Sequence, residues 1–183
     1  LFATRLGEVK AVIHVLAVFA FTTSASAKII YVDGDASSGG GGTSWGTALE
    51  HLQDALATAT AGDEIRVAEG IYKPDQGTGK TSGDRSASFV IVGGISLYGG
   101  YKGIETTRAI LGDPDKTILT GEISTDKANR SLHVLTGKDL DGSTTVNGFR
   151  ITMGNANDYA LGSPKGGGIY LENSFLMFRN CVF

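Results

Sequence analysis

The chain has 183 residues, 41% of them hydrophobic, with 16 Lys and Arg against 19 Asp and Glu for a net charge of -3. That is enough for one domain with a real core, and the basic residues are scattered rather than gathered into a stripe, which argues against a nucleic-acid partner. The 27 glycines stand beside only three prolines; this is about twice average glycine usage, without a collagen period, and asks for many backbone corners rather than a Pro-rich linker.

Residues 1–27 read as a secretory signal peptide. Arg5 and Lys10 precede an apolar run from Ala11 to Phe21, and Ala25-Ser26-Ala27 places small residues where a signal peptidase reads, so cleavage is expected between Ala27 and Lys28. The run is too short to span a bilayer of about 30 Å. The single cysteine, Cys181, can make no internal disulfide, so an exported product must be held by packing and backbone pairing. Leu1 at one end and an interrupted repeat at Phe183 suggest a fragment of a larger protein.

Residues 28–62 read as a strand, a glycine-rich loop and a capping helix. Lys28 to Asp33 alternates and closes at Gly34. Leu49, Leu52, Leu56 and Ala59 fall at helical spacing, with Thr47 and Glu50 as a capping box and Gly62 as the stop, so a helix over 47–61 is expected. From Asp63 to Phe183 the pattern is strands only: 64–68, 89–92, 95–98, 117–120, 132–135 and 149–151, divided by Gly or Asp-Gly. Val146 to Thr152 and Ser174 to Phe183 are near copies. Recurrence at some tens of residues marks a solenoid. With no helical pattern to supply crossovers, the expected fold is all-β: a right-handed parallel β-helix with an N-terminal amphipathic capping helix. An antiparallel sandwich is the structural rival. On the β-helix, Leu176, Phe178 and Asn180 point inward, Met177 and Arg179 outward, and Cys181 serves as a small core residue.

The stretch Thr43 to Leu49, Leu52 to Leu56 and Gly62 to Tyr72 resembles the N-terminal cap and first coil of secreted bacterial right-handed β-helix repeat proteins. Gly166-Gly167-Gly168-Ile169-Tyr170 followed by Asn180-Cys181-Val182-Phe183 is similar to the repeat of that group and of polymorphic outer membrane proteins. The resemblance implies the pectin-lyase-like superfold and an extracellular or cell-surface address. It does not choose an activity, since that superfold carries lyases, hydrolases, epimerases, adhesins and plain stalks.

No residue set names a reaction, so catalytic and ligand-binding residues stay unassigned. Gly77-Thr78-Gly79-Lys80-Thr81 lacks the first glycine of a phosphate-binding loop, because Pro74 stands there, and a strand rather than a helix follows. Arg108, Asp113 and Asp115 are the nearest to a lyase set, but Asp33, Asp63, Asp84, Asp113 and Asp141 each adjoin a glycine and read as turn aspartates. His51, on the expected helix, and His133, on an expected strand, have no second histidine at ligand spacing, so no metal and no cofactor is expected. Trp45, Tyr72, Tyr98, Tyr101 and Tyr170 are sugar-stacking candidates if they face outward along one sheet, and packing residues otherwise. Asn129-Arg130-Ser131 matches a glycosylation sequon, which the bacterial origin implied by the resemblance makes a chance match. The expected function is a non-catalytic, exported or cell-surface scaffold, a monomer contacting a polysaccharide or cell-surface glycan, with membrane association only through parts outside this chain. The alternative is a polysaccharide lyase or glycoside hydrolase whose catalytic coils lie beyond residue 183.

Overall fold

The computed structural model describes residues 26–105, 113–157 and 166–183. Eleven strands are present among them: β1 (Ile29–Val32), β2 (Glu64–Ala68), β3 (Gly70–Tyr72), β4 (Phe89–Val90), β5 (Ser96–Tyr101), β6 (Thr117–Thr120), β7 (Leu135–Lys138), β8 (Asp141–Asn147), β9 (Arg150–Thr152), β10 (Ile169–Glu172) and β11 (Phe175–Arg179). They form one five-stranded sheet, β1-β2-β5-β8-β11, and two three-stranded sheets, β3-β6-β9 and β4-β7-β10. Every strand pairing is parallel. From β2 onward the chain visits the three sheets in a fixed rotation, which makes a parallel β-solenoid of about four turns and excludes the antiparallel sandwich.

Register explains the core. In the long sheet Ile30, Ile65, Leu97, Val146 and Phe178 stack rung upon rung; Tyr72, Leu119 and Ile151 do so in the second sheet and Phe89, Leu135 and Ile169 in the third. Ile65, Leu97, Val146, Leu119, Phe89 and Leu135 are fully buried. The alternate residues of the long sheet, Tyr31, Arg66, Tyr98, Asn147 and Arg179, form the outer ladder.

Corners are set by backbone handedness. Toward its exit from the long sheet the chain takes positive φ at Gly100, within β5, and at Gly148 and Asn180; toward its entry it does so at Gly62, Gly94 and Gly142, the last within β8. At Gly99 a Cβ would stand 2.4 Å from the Gly148 carbonyl oxygen, so the corners of adjacent coils touch backbone to backbone. Side chains also bridge coils: Ser174 Oγ accepts the Leu140 N–H at 3.1 Å and Asn173 Nδ2 donates to Asp139 Oδ1 at 2.8 Å, each across 34 residues.

Several expectations are corrected here. The helix α1 spans only Leu52–Thr58, because Leu49 is held extended along β1 by bonds in both directions: its N–H donates to the carbonyl of Tyr31 in β1, and its carbonyl accepts from Asp33 just after it. Thr47 lies instead in a 3-10 turn, Trp45–Thr47, no capping box forms, and His51 is the N-cap without a side-chain bond. The helix ends before Gly62, and a second 3-10 turn, Lys127–Asn129, breaks the strands-only pattern. Val146 to Thr152 is two strands around the Gly148 corner, and the strand expected over 132–135 begins at Leu135, leaving His133 before it. Asn180 is exposed at its corner rather than inward, while Leu176 and Phe178 do pack on the core. Leu52, Ala55 and Leu56 join that core, and α1 lies against β1 and β4. The expected signal segment up to Ala25, and Arg108, lie outside the described residues.

Candidate functional site

The outer face of the long sheet gathers the chain's most distinctive side chains. The Trp45 ring stands edge-on to Tyr31, with centroids 4.8 Å apart, and tilts against Tyr101 at 5.5 Å. Its indole N–H donates to the Glu105 carbonyl at 2.8 Å, which ties the 3-10 turn to the loop after β5. Below it the Arg66 guanidinium lies 5.8 Å from the Tyr31 centroid and 5.6 Å from that of Tyr101. Burial works against the Arg66 charge, but the Glu64 carboxylate, 2.5 Å from Nε, outweighs it and holds the group cationic. Guanidinium against ring faces and a paired carboxylate give a rigid, amphipathic patch. Tyr98, Asn147 and Arg179 continue it, half-buried, buried and exposed, at the rung spacing of about 4.8 Å.

A second feature is a groove of about 680 Å³ beside α1, lined by Ser38 to Gly40, Leu49 to His51, Asp54, Ala57 and Thr58, and closed by Gly77 and Thr78. Glu50 Oε1 lies 3.8 Å from His51 Nε2, and Asp54 Oδ1 accepts the Thr78 N–H at 2.8 Å. Glu50 and His51 also line a smaller pocket of about 170 Å³ with Tyr72 and Lys73. The loop beyond it buries Asp75, whose Oδ2 accepts the Gly83 N–H at 2.8 Å while Oδ1 has no hydrogen-bond partner among the described residues.

The aromatic candidates divide. Trp45 and Tyr98 share the outer face; Tyr101 is buried at its edge. Tyr72 is in the core, its hydroxyl donating to Ala68 and accepting from Gly34, and burial drives its pKa far up. Tyr170 belongs to the third sheet, stacked on His133 at 5.0 Å. The five therefore do not form one row. His133 Nδ1 contacts the Gly166 carbonyl at 3.0 Å just before β7, whereas His51 is the N-cap of α1.

The aspartates do turn duty. Asp33, Asp84, Asp113 and Asp141 each accept the N–H two residues on, and Asp115 is taken by Arg150 at 2.9 Å from Nε. Among the described residues no group of three or more His, Cys, Asp or Glu is placed to hold a metal ion. Thr78 to Thr81 are exposed. Cys181 Sγ lies 3.2 Å from the Arg179 carbonyl and packs on the core, and burial pushes its thiol up. Asn129 is exposed in the second 3-10 turn. No helix of the described residues is long and apolar enough to cross a membrane. Sequence reading missed Tyr31 and Arg66, whose signal is their alternation with inward Ile30, Ile65 and Val67, and the structural weight of Asp63.

Compared with known family models, curated proteins and solved structures, the chain matches none.

Proposed function

We propose that the chain is part of an exported, non-catalytic scaffold that contacts glycan through the outer face of its long sheet. On this reading residues 1–27 are removed between Ala27 and Lys28, the coil is right-handed, as nearly all parallel crossovers are, and α1 is the lid of the first coil. The product works outside the cell or on its surface, as a pectin-lyase-like β-helix of the kind the sequence resembles. The observation that carries the reading is the in-register ladder of the outer face, in which Tyr31, Tyr98 and Arg179 are accessible, Arg66 and Asn147 are buried between them, and Trp45 packs beside Tyr31. Such a row suits a linear polymer of sugar rings, whose apolar faces stack on aromatics while hydroxyls take polar neighbours.

Glycan-array binding by the purified chain, with Trp45→Ala and Tyr98→Ala beside it, tests the proposal. The wild type is expected to bind at least one polysaccharide class and each variant to lose about tenfold, worth about 1.4 kcal/mol. Binding unaffected by both variants would remove the face from the argument. Turnover of a polysaccharide, followed by reducing ends or by absorbance of an unsaturated product, would replace the scaffold reading with the enzymatic one.

A further inference from the structure

The first residue of the expected mature chain meets a buried carboxylate. The Lys28 backbone N–H donates to Asp63 Oδ1 at 2.9 Å. Asp63 is 2% exposed, and its Oδ2 accepts the Thr60 N–H at 2.8 Å and the Thr60 hydroxyl at 3.0 Å. Among the described residues the cation beside it is the Lys28 ammonium, 3.7 Å from Oδ2, itself half-exposed and shared with the Thr58 carbonyl. The three hydrogen-bond donors that hold this buried carboxylate are all neutral, so a charged donor in place of one of them would bind it more strongly.

From this we infer that Asp63 is a receptor for a new amino terminus at Lys28, so that proteolytic maturation locks the first coil. The inference rests on the proposed cleavage between Ala27 and Lys28. Hydrolysis consumes one water and breaks the Ala27–Lys28 C–N bond. It leaves a carboxylate on Ala27 and an amine on Lys28 that takes a proton to become an ammonium. The neutral N–H donor at 2.9 Å then becomes a charged one without moving, because the Lys28 carbonyl is pinned by the Glu64 N–H at 2.9 Å. Ser26 and Ala27 are exposed, so their departure uncovers no core.

Charge placement sets the pH behaviour. The groups facing the new ammonium are Asp63, which raises its pKa, and the Lys28 Nζ, which opposes that rise. Thr58 and Thr60 are neutral, and Glu64, at the start of β2, is turned to Arg66. An amine whose folded pKa is raised above the free value of about 7.7–8.0 contributes fully below that value and loses its contribution as pH rises through the folded pKa.

The test uses the full chain with Ser24 to Ala27 replaced by a protease recognition sequence that is cut just before Lys28. Melting is compared before and after the cut at pH 6.5 and pH 10, in the wild type and in Asp63→Asn. The cut wild type is expected to melt about 4 °C higher at pH 6.5, with the gain gone at pH 10 and absent in Asp63→Asn. No gain at pH 6.5, or an equal gain in Asp63→Asn, overturns the inference. Should Asp63→Asn not fold, a wild-type gain unchanged at pH 10 overturns it equally. Amino-terminal sequencing of exported protein is read separately: a first residue other than Lys28 defeats the proposed cleavage point, whatever the cut chain does.

Discussion

Leu97→Ala, set against Tyr98→Ala, tests the register on which the long sheet depends. Leu97 is fully buried in the third rung, between Ile65 and Val146. Truncation removes three carbons, about 2.4 kcal/mol at about 0.8 kcal/mol per buried methylene. Both neighbouring rungs are backbone-fixed and cannot close the gap, so a cavity cost of about 1 kcal/mol adds. The expected loss is about 3.5 kcal/mol, or about 10 °C in melting temperature for a chain of this size. Tyr98, the next residue, is half-buried on the outer face, and its loss is expected to cost about 1 kcal/mol or less. Urea denaturation monitored by far-UV circular dichroism gives both values. Because a one-residue slip exchanges the faces of a strand, a larger loss at Tyr98 than at Leu97 would refute the assignment.

Three further outcomes follow from the same physics. Gly148→Ala is expected to cost about 2–3 kcal/mol, since φ is +85° and the new Cβ would stand 2.9 Å from the Gly99 carbonyl oxygen, whereas Asn180→Gly at its exposed corner should stay within about 0.5 kcal/mol; urea midpoints compare them. Burial pushes the Asp63 pKa up, but hydrogen bonds from Lys28 and Thr60 outweigh it and hold the pKa below the free value. A depressed carboxylate contributes stability above its unfolded pKa of about 3.9 and loses it as pH falls through the folded value, so the chain should weaken below about pH 4, and Asp63→Asn should make that slope shallower in a melting series from pH 3 to 7, the remainder coming from Asp84, Glu105 and Asp141, whose pKa values are also lowered. The Cys181 thiol, raised by burial, should react with a thiol reagent more slowly in the native chain than in urea at the same pH; equal rates would contradict its packing.

Periodicity made the solenoid legible where a strand's apolar residues alternate cleanly. Glu64–Ala68 and Thr117–Thr120 were readable to the residue. Strands β3 and β10, three and four residues long and flanked by glycine, carry too short a pattern to stand out. The helix was over-read because local spacing cannot see that Leu49 is claimed by β1. The outer face was half legible. Aromatics could be listed, but which of them share a sheet depends on coils of unequal length, and so Tyr170 fell elsewhere and Tyr31 and Arg66 went unnoticed. Asp63 read as a turn residue; that Lys28 reaches it across 35 residues is a fact of the first coil's closure.

The parallel rungs of the long sheet have a mechanical consequence. Their interstrand hydrogen bonds run along the solenoid axis, so tension applied end to end loads the rungs in series, and the weakest interface peels first. Tension applied along a strand instead shears all the bonds of that rung together. A molecule built this way is compliant when stretched lengthwise and stiff when dragged sideways, an anisotropy that would let it tolerate lateral drag while yielding coil by coil to an axial pull.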